Sequence, residues 1–150
     1  MTKVRPQGTE APEALRELVR RAGHEIRNAL NGISVNVEVV RSRSSRDESP
    51  KELAPFAERA SAQVGEASAL TDGLLALVDS VLMAQAEGTL ESSGGRSAGG
   101  RIELTIYGER AAGLVSDIER LASRIGVAVE QHGQRVILRI LPEGKSHSKD

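Results

Sequence analysis

The chain has no cysteine and no tryptophan, and Phe56 and Tyr107 are its only aromatic residues. The first absence excludes disulfides and thiolate chemistry. The scarcity of aromatics leaves a core of Leu, Val, Ile and Ala, which pack well between helices but bury less area per residue. A chain of 150 residues built this way suits one domain, or a small domain with an appendage. It gains by burying surface against a second copy of itself. The N-terminal MTKVRPQGTEAPE lacks the apolar stretch of a secretory leader. No run approaches the roughly 18 apolar residues that cross a bilayer. The expectation is therefore a cytoplasmic protein without a membrane partner. A formal net charge of −1 provides no large overall field for nucleic acid, and no nucleic-acid partner is expected.

The charge that is present is unevenly placed. Residues 1–46 hold nine Lys/Arg against five Asp/Glu, whereas the remainder holds 11 against 16. The basic part suits either a solvated arginine-rich face or an acidic partner.

Apolar residues recur at Leu15, Val19, Ala22, Ile26, Leu30, Ile33, Val37 and Val40, in the steps of three and four of a helix with one buried stripe. Pro12 stands where a first-turn proline is tolerated, and Glu13 and Glu17 suit a helix N-terminus. A hairpin turning at Asn31-Gly32 would explain Ile33, Val35, Val37 and Val39 by period two. It lacks a matching alternation upstream, in HEIRNAL, so the helix is the better reading. The polar RSRSSRDESPK, residues 41–51, connects to a second helical pattern at Leu53, Phe56, Ala60, Val64, Ala67, Leu70, Leu74, Val78 and Val81. GTLESSGGRSAGG, residues 88–100, has the composition of a flexible linker.

Beyond it, RIELTIY alternates, a helical pattern follows at Leu114, Ile118, Leu121 and Ile125, and VAVEQ and QRVILRIL close at His132-Gly133. That is a β-α-β-β unit of about 40 residues, near the lower limit for an independent core. It is expected to pack on the helices or on its copy. The predicted fold is mainly α with a small α+β appendage. Residues 1–11 form a flexible N-terminus, 12–87 an antiparallel helical hairpin, 88–100 the linker, 101–141 the β-α-β-β unit and 142–150 a flexible tail. Two hairpins pairing into a dimeric four-helix bundle are the simplest closed arrangement. A monomer packed on its own C-terminal unit is the other.

At about 100° per residue, His24 lies roughly 200° from both Ala22 and Ile26, facing away from the predicted stripe. Arg20, Arg27, Asn28, Asn31 and Val35 share its side. A solvent-exposed surface histidine satisfies this placement. So does a nucleophile, since a neutral imidazole attacks through one nitrogen while the other carries the proton. Glu25 is adjacent and suited to hold that proton. Asn28 stands one turn on, where it reaches whatever His24 carries. Arg20 and Arg27 offer positive charge to a phosphoryl group.

His24-Glu25-Ile26-Arg27-Asn28, followed by Leu30-Asn31-Gly32-Ile33, resembles the phosphoacceptor H-box of bacterial sensor histidine kinases. LTDGLLALVDSVLMA resembles the return helix of the same dimerisation and phosphoacceptor domain, and the resemblance spans roughly residues 12–87. It implies a dimeric four-helix bundle whose exposed histidine carries a phosphoryl group and passes it to a receiver aspartate. By position, His24 would be the phosphoacceptor, Glu25 its acid-base neighbour, and Asn28 the residue that positions water or the phosphoryl group. Arg20, Arg27, Asn31 and Val35 would be contacts for the phosphoryl group or the partner. The proline common after the Asn28 position is Ala29 here, which implies a straighter helix.

The kinases also carry an ATP-binding domain with asparagine-bearing and glycine-rich boxes. Every asparagine here, Asn28, Asn31 and Asn36, lies in the first helix, and residues 101–141 hold no Gly-x-Gly element. The C-terminal unit is therefore expected to be a degenerate remnant that binds no ATP. The profile is similar to the histidine phosphotransferases of phosphorelays. The expected partners are a second copy of the chain, a receiver domain carrying its own Mg²⁺, and an upstream histidine kinase. A pseudo-kinase module that docks a receiver or a kinase without being phosphorylated is the alternative. Metal binding ranks last, because His24, His132 and His147 have no ligand spacing.

Overall fold

The computed structural model describes residues 10–95 and 99–142. Residues 1–9, the Arg96–Ala98 stretch of the glycine-serine segment, and the tail from Glu143 with His147 lie outside them. Two long helices, α1 (Glu10–Ser44) and α2 (Pro50–Glu87), run antiparallel. They are followed by strands β1 (Leu90–Gly95) and β2 (Arg101–Tyr107), helix α3 (Glu109–Ile125), and strands β3 (Val127–His132) and β4 (Arg135–Ile140). The helical reading of residues 23–40 holds, and α1 continues unbroken through Ala29. Ser49 opens α2 with a capping box: its side chain accepts from the Glu52 amide while the Glu52 carboxylate accepts from the Ser49 amide.

The strands form one antiparallel sheet in the order β1-β2-β4-β3. Four strands replace the three expected, because the glycine-serine segment is not a free linker over Leu90–Gly95. There, Leu90 pairs with Ile106 and Gly94 with Ile102. Its glycines are required by geometry: Gly94 has φ 109°, and a Cβ on it would stand 2.0 Å from the Arg101 carbonyl oxygen. Nor does the segment separate two bodies. Gly88 caps α2 in the left-handed conformation. The Thr89 amide then bonds back to the Ala84 carbonyl at 2.8 Å, and β1 begins at the next residue.

One core runs through both parts. Ala11, Ala14, Leu18 and Ala22 of α1 and Leu70, Leu77, Val81 and Ala84 of α2 meet Ile118 and Leu121 of α3 and Leu104, Ile106 and Leu138 of the sheet. The C-terminal unit thus packs on the helices, the first of its two expected positions. Gly73 lets α3 approach α2, since a Cβ there would lie 3.1 Å from the Leu121 Cβ.

The buried line of α1 differs from the predicted stripe. Ala22 belongs to it and Leu15 and Ile26 pack at its edge, but Val19, Leu30 and Val37 are exposed. The buried line of α1 consists of Ala11, Ala14, Leu18, Arg21 and Ala22, and Val19, Leu30 and Val37 lie outside it, about half exposed. On α2, Val64 is likewise exposed, while the rest of its predicted stripe is buried or half-buried. By length and composition α2 is apolar enough to cross a membrane, contrary to the reading above. Much of that apolar content has a place in the core, at Leu70, Leu77 and Val81.

Candidate phosphoacceptor site

The position of His24 follows from how α1 is held. Arg21, almost fully buried, donates from its guanidinium to the Ile125 carbonyl at 3.0 Å and the Leu141 carbonyl at 2.6 Å, with Glu17 accepting at 2.7 Å. One carbonyl ends α3 and the other follows β4, so a single side chain fastens the C-terminal unit to the first helix. A buried charge is tolerated here because its donors are met by a carboxylate and carbonyls. Glu17 also accepts from Arg20. The hydrogen bond from Arg20, then that from Arg21, holds its carboxyl at about 2 against the opposing effect of desolvation.

Three residues past Arg21 along the helix, and about 60° around it, stands His24. It is exposed, as its phase implies, and Arg20, Arg27, Asn28, Asn31 and Val35 are exposed with it. Arg27, Asn28 and Asn31 therefore share an open face with the imidazole. Arg20 shares it too, but its guanidinium is already engaged by Glu17 at 2.8 Å.

Glu25 behaves differently. It is half-buried and turned toward α3, where its carboxylate lies 3.9 Å from Arg124. The same Arg124 donates through Nε to Glu66 of α2 at 2.9 Å, and Arg120 meets the other Glu66 oxygen at 2.8 Å. The bond from Arg124, with a second from Arg120, holds the Glu66 carboxyl below its ordinary range against partial desolvation. The Arg21 anchor and the cluster that Glu25 forms with Arg124, Glu66 and Arg120 were not legible in the sequence. Glu17 four residues before Arg21 was the one local hint of a pair, and the other contacts join residues more than 50 positions apart.

The family model described as "His Kinase A (phospho-acceptor) domain" matches residues 14–80. Residues 14–80 are a His Kinase A domain. The match covers most of both helices of the hairpin and includes His24, Glu25 and Asn28. The hairpin is thus a histidine-kinase-like phosphoacceptor module of two-component signalling. His Kinase A domains typically dimerise and take part in phosphotransfer with receiver domains. No curated protein and no solved structure matches this chain.

Among the described residues no group of three His, Asp or Glu side chains is arranged to hold a metal ion. His132, on β3, faces Glu130 at 3.2 Å, in the sheet rather than beside the His Kinase A histidine.

Proposed function

We propose that the protein is a histidine phosphotransfer protein of a bacterial phosphorelay, cytoplasmic and dimeric, exchanging a phosphoryl group between His24 and a receiver aspartate. The observation that carries this reading is the exposure of His24 on an unbroken helix inside the His Kinase A segment. An imidazole nitrogen on an open convex face is reachable in line by a phosphoaspartate on another protein. The nitrogen lone pair attacks phosphorus, the bond from phosphorus to the aspartyl oxygen breaks, and the carboxylate leaves with the electron pair. The proton on the other ring nitrogen is then held by Glu25 or by water. Arg27 compensates charge, Asn28 positions the phosphoryl group or an attacking water, and Asn31 and Val35 lie where a partner would rest. Positioning and charge are most of what phosphoryl transfer asks of a protein. The Mg²⁺ belongs to the receiver.

Dimerisation is supported by the aliphatics left uncovered within one chain, Val19, Leu30 and Val37 of α1 with Val64, Leu75 and Leu82 of α2. A second hairpin laid on them closes a four-helix bundle.

The test is incubation with a panel of phosphorylated receiver domains. The expected result is an acid-labile label on the wild type and none on His24→Gln, which keeps its helicity because the side chain is exposed. Asn28→Ala should still accept the label but slow hydrolysis of the receiver phosphate. Tight binding of a receiver without any label would replace this reading with a docking module. A magnesium-dependent ATP site found by calorimetry would replace it with a kinase.

A further inference from the structure

We propose that Arg124, on the C-terminal unit, is a positioning residue of the phosphoacceptor site, acting on His24 through Glu25. This rests on the reading of His24 as a phosphoacceptor. Three observations support it.

Arg124 is anchored independently of Glu25: its Nε is bonded to Glu66 at 2.9 Å, and Glu66 is fixed a second time by Arg120. The guanidinium fork then presents Nη1 to Glu25 at 3.9 Å, so one planar group spans a carboxylate on each helix of the hairpin. The whole of α3 is in turn locked against α1 by the Arg21 bonds to Ile125 and Leu141, one turn of helix before Glu25.

Neighbours in sequence on a helix point about 100° apart, so Glu25 has no automatic line to the His24 ring. Left alone, a glutamate at this position would sample many rotamers. Held 3.9 Å from Arg124, its carboxylate stays on the α3 side of α1, one residue along the helix from His24, as the acceptor to which the ring proton made acidic by attack on phosphorus passes through water. An isolated hairpin has no such anchor. The C-terminal unit therefore contributes to the chemistry without touching the phosphoryl group. Exposed ion pairs stabilise folds little, so a purely structural role for Arg124 predicts little effect from its loss.

The experiment measures phosphoryl transfer to the full chain from a phosphorylated receiver and, independently, from phosphoramidate, which needs no protein partner. Arg124→Ala should lower the transfer rate constant about tenfold with both donors, leaving the half-saturating receiver concentration unchanged. Arg120→Ala, which breaks a Glu66 contact but leaves Glu25 alone, should transfer at the wild-type rate. In a Glu25→Ala background, Arg124→Ala should cost nothing further, because its effect passes through that carboxylate. An Arg124→Ala protein as fast as wild type overturns the proposal. So does equal slowing by Arg120→Ala, or undiminished slowing in the Glu25→Ala background. A wild type that takes no label from either donor sinks the phosphoacceptor reading and this inference with it. A labelled wild type with an unaffected Arg124→Ala sinks this inference alone.

Discussion

The two ends of the hairpin are built from different kinds of contact. At the end near the sheet, Ala14, Leu18 and Ala22 are fully inaccessible, covered by α2 and the C-terminal unit of the same chain. Toward the loop joining the helices, Leu30 and Val37 stay 51% exposed and Val64 50%. A polar crossing stands there instead, with Asn36 donating to Gln63 at 3.0 Å. The first end has a core closed by the C-terminal unit beside a few exposed aliphatics such as Val19 and Leu75, whereas at the second Leu30, Val37 and Val64 stay half exposed with no third element over them. Burial therefore predicts a large effect on stability for substitutions at the first end and, on the dimer proposed above, an effect on assembly for those at the second.

Leu18→Asp should break that comparison most severely. It places an unpaired carboxylate in the shared core, at a cost of about 4 kcal/mol or more, and thermal unfolding should show loss of the cooperative transition. Gly73→Ala acts at the same end with less force. Its methyl must push Leu121 and the Asp117 carbonyl away, which overpacking data place at about 1–3 kcal/mol. Chemical denaturation should give a lower midpoint with α3 the first element to lose amide protection.

Leu30→Asp addresses the other end. In one chain its cost should stay within about 0.5 kcal/mol, as for an exposed site. Light scattering at tens of micromolar should nonetheless report a monomer where the wild type is a dimer. Loss of helicity instead would mean that the two ends are not independent.

The smallest effect concerns Glu17. Its folded value of about 2 lies below its ordinary 4.5, so its contribution is complete above pH 4.5 and is lost as the pH falls through about 2. Melting temperatures between pH 5 and pH 2 should fall less steeply in Glu17→Gln than in the wild type.

The elements that hydrophobic period specifies were legible: α1 and α2, the buried positions Leu114, Ile118, Leu121 and Ile125 of α3, and the inward residues of β2. The phase of His24 was legible too, because helical geometry alone fixes which side a residue faces. Two things were hidden. Gly94 and its neighbours read as a linker, since composition does not distinguish glycine chosen for freedom from glycine chosen because a carbonyl lies where a Cβ would be. The surroundings of Glu25 were hidden because Arg124 meets it only after the sheet has folded back onto α1. The choice between two stripes on α1 was hidden for a related reason. Alanines at Ala11, Ala14 and Ala22 carry a weak hydrophobic signal yet win the interior, because close helix packing favours small side chains.

Only Gly88 and Thr89 stand between the last turn of α2 and the first pairing residue of β1, and the backbone bond from Thr89 to Ala84 takes up even that slack. A joint so short transmits torque. The orientation of β1, and with it of the sheet, is therefore set directly by the end of α2. The same C-terminal unit is fastened to α1 through Arg21, so it bridges both helices of the hairpin at the end away from their loop.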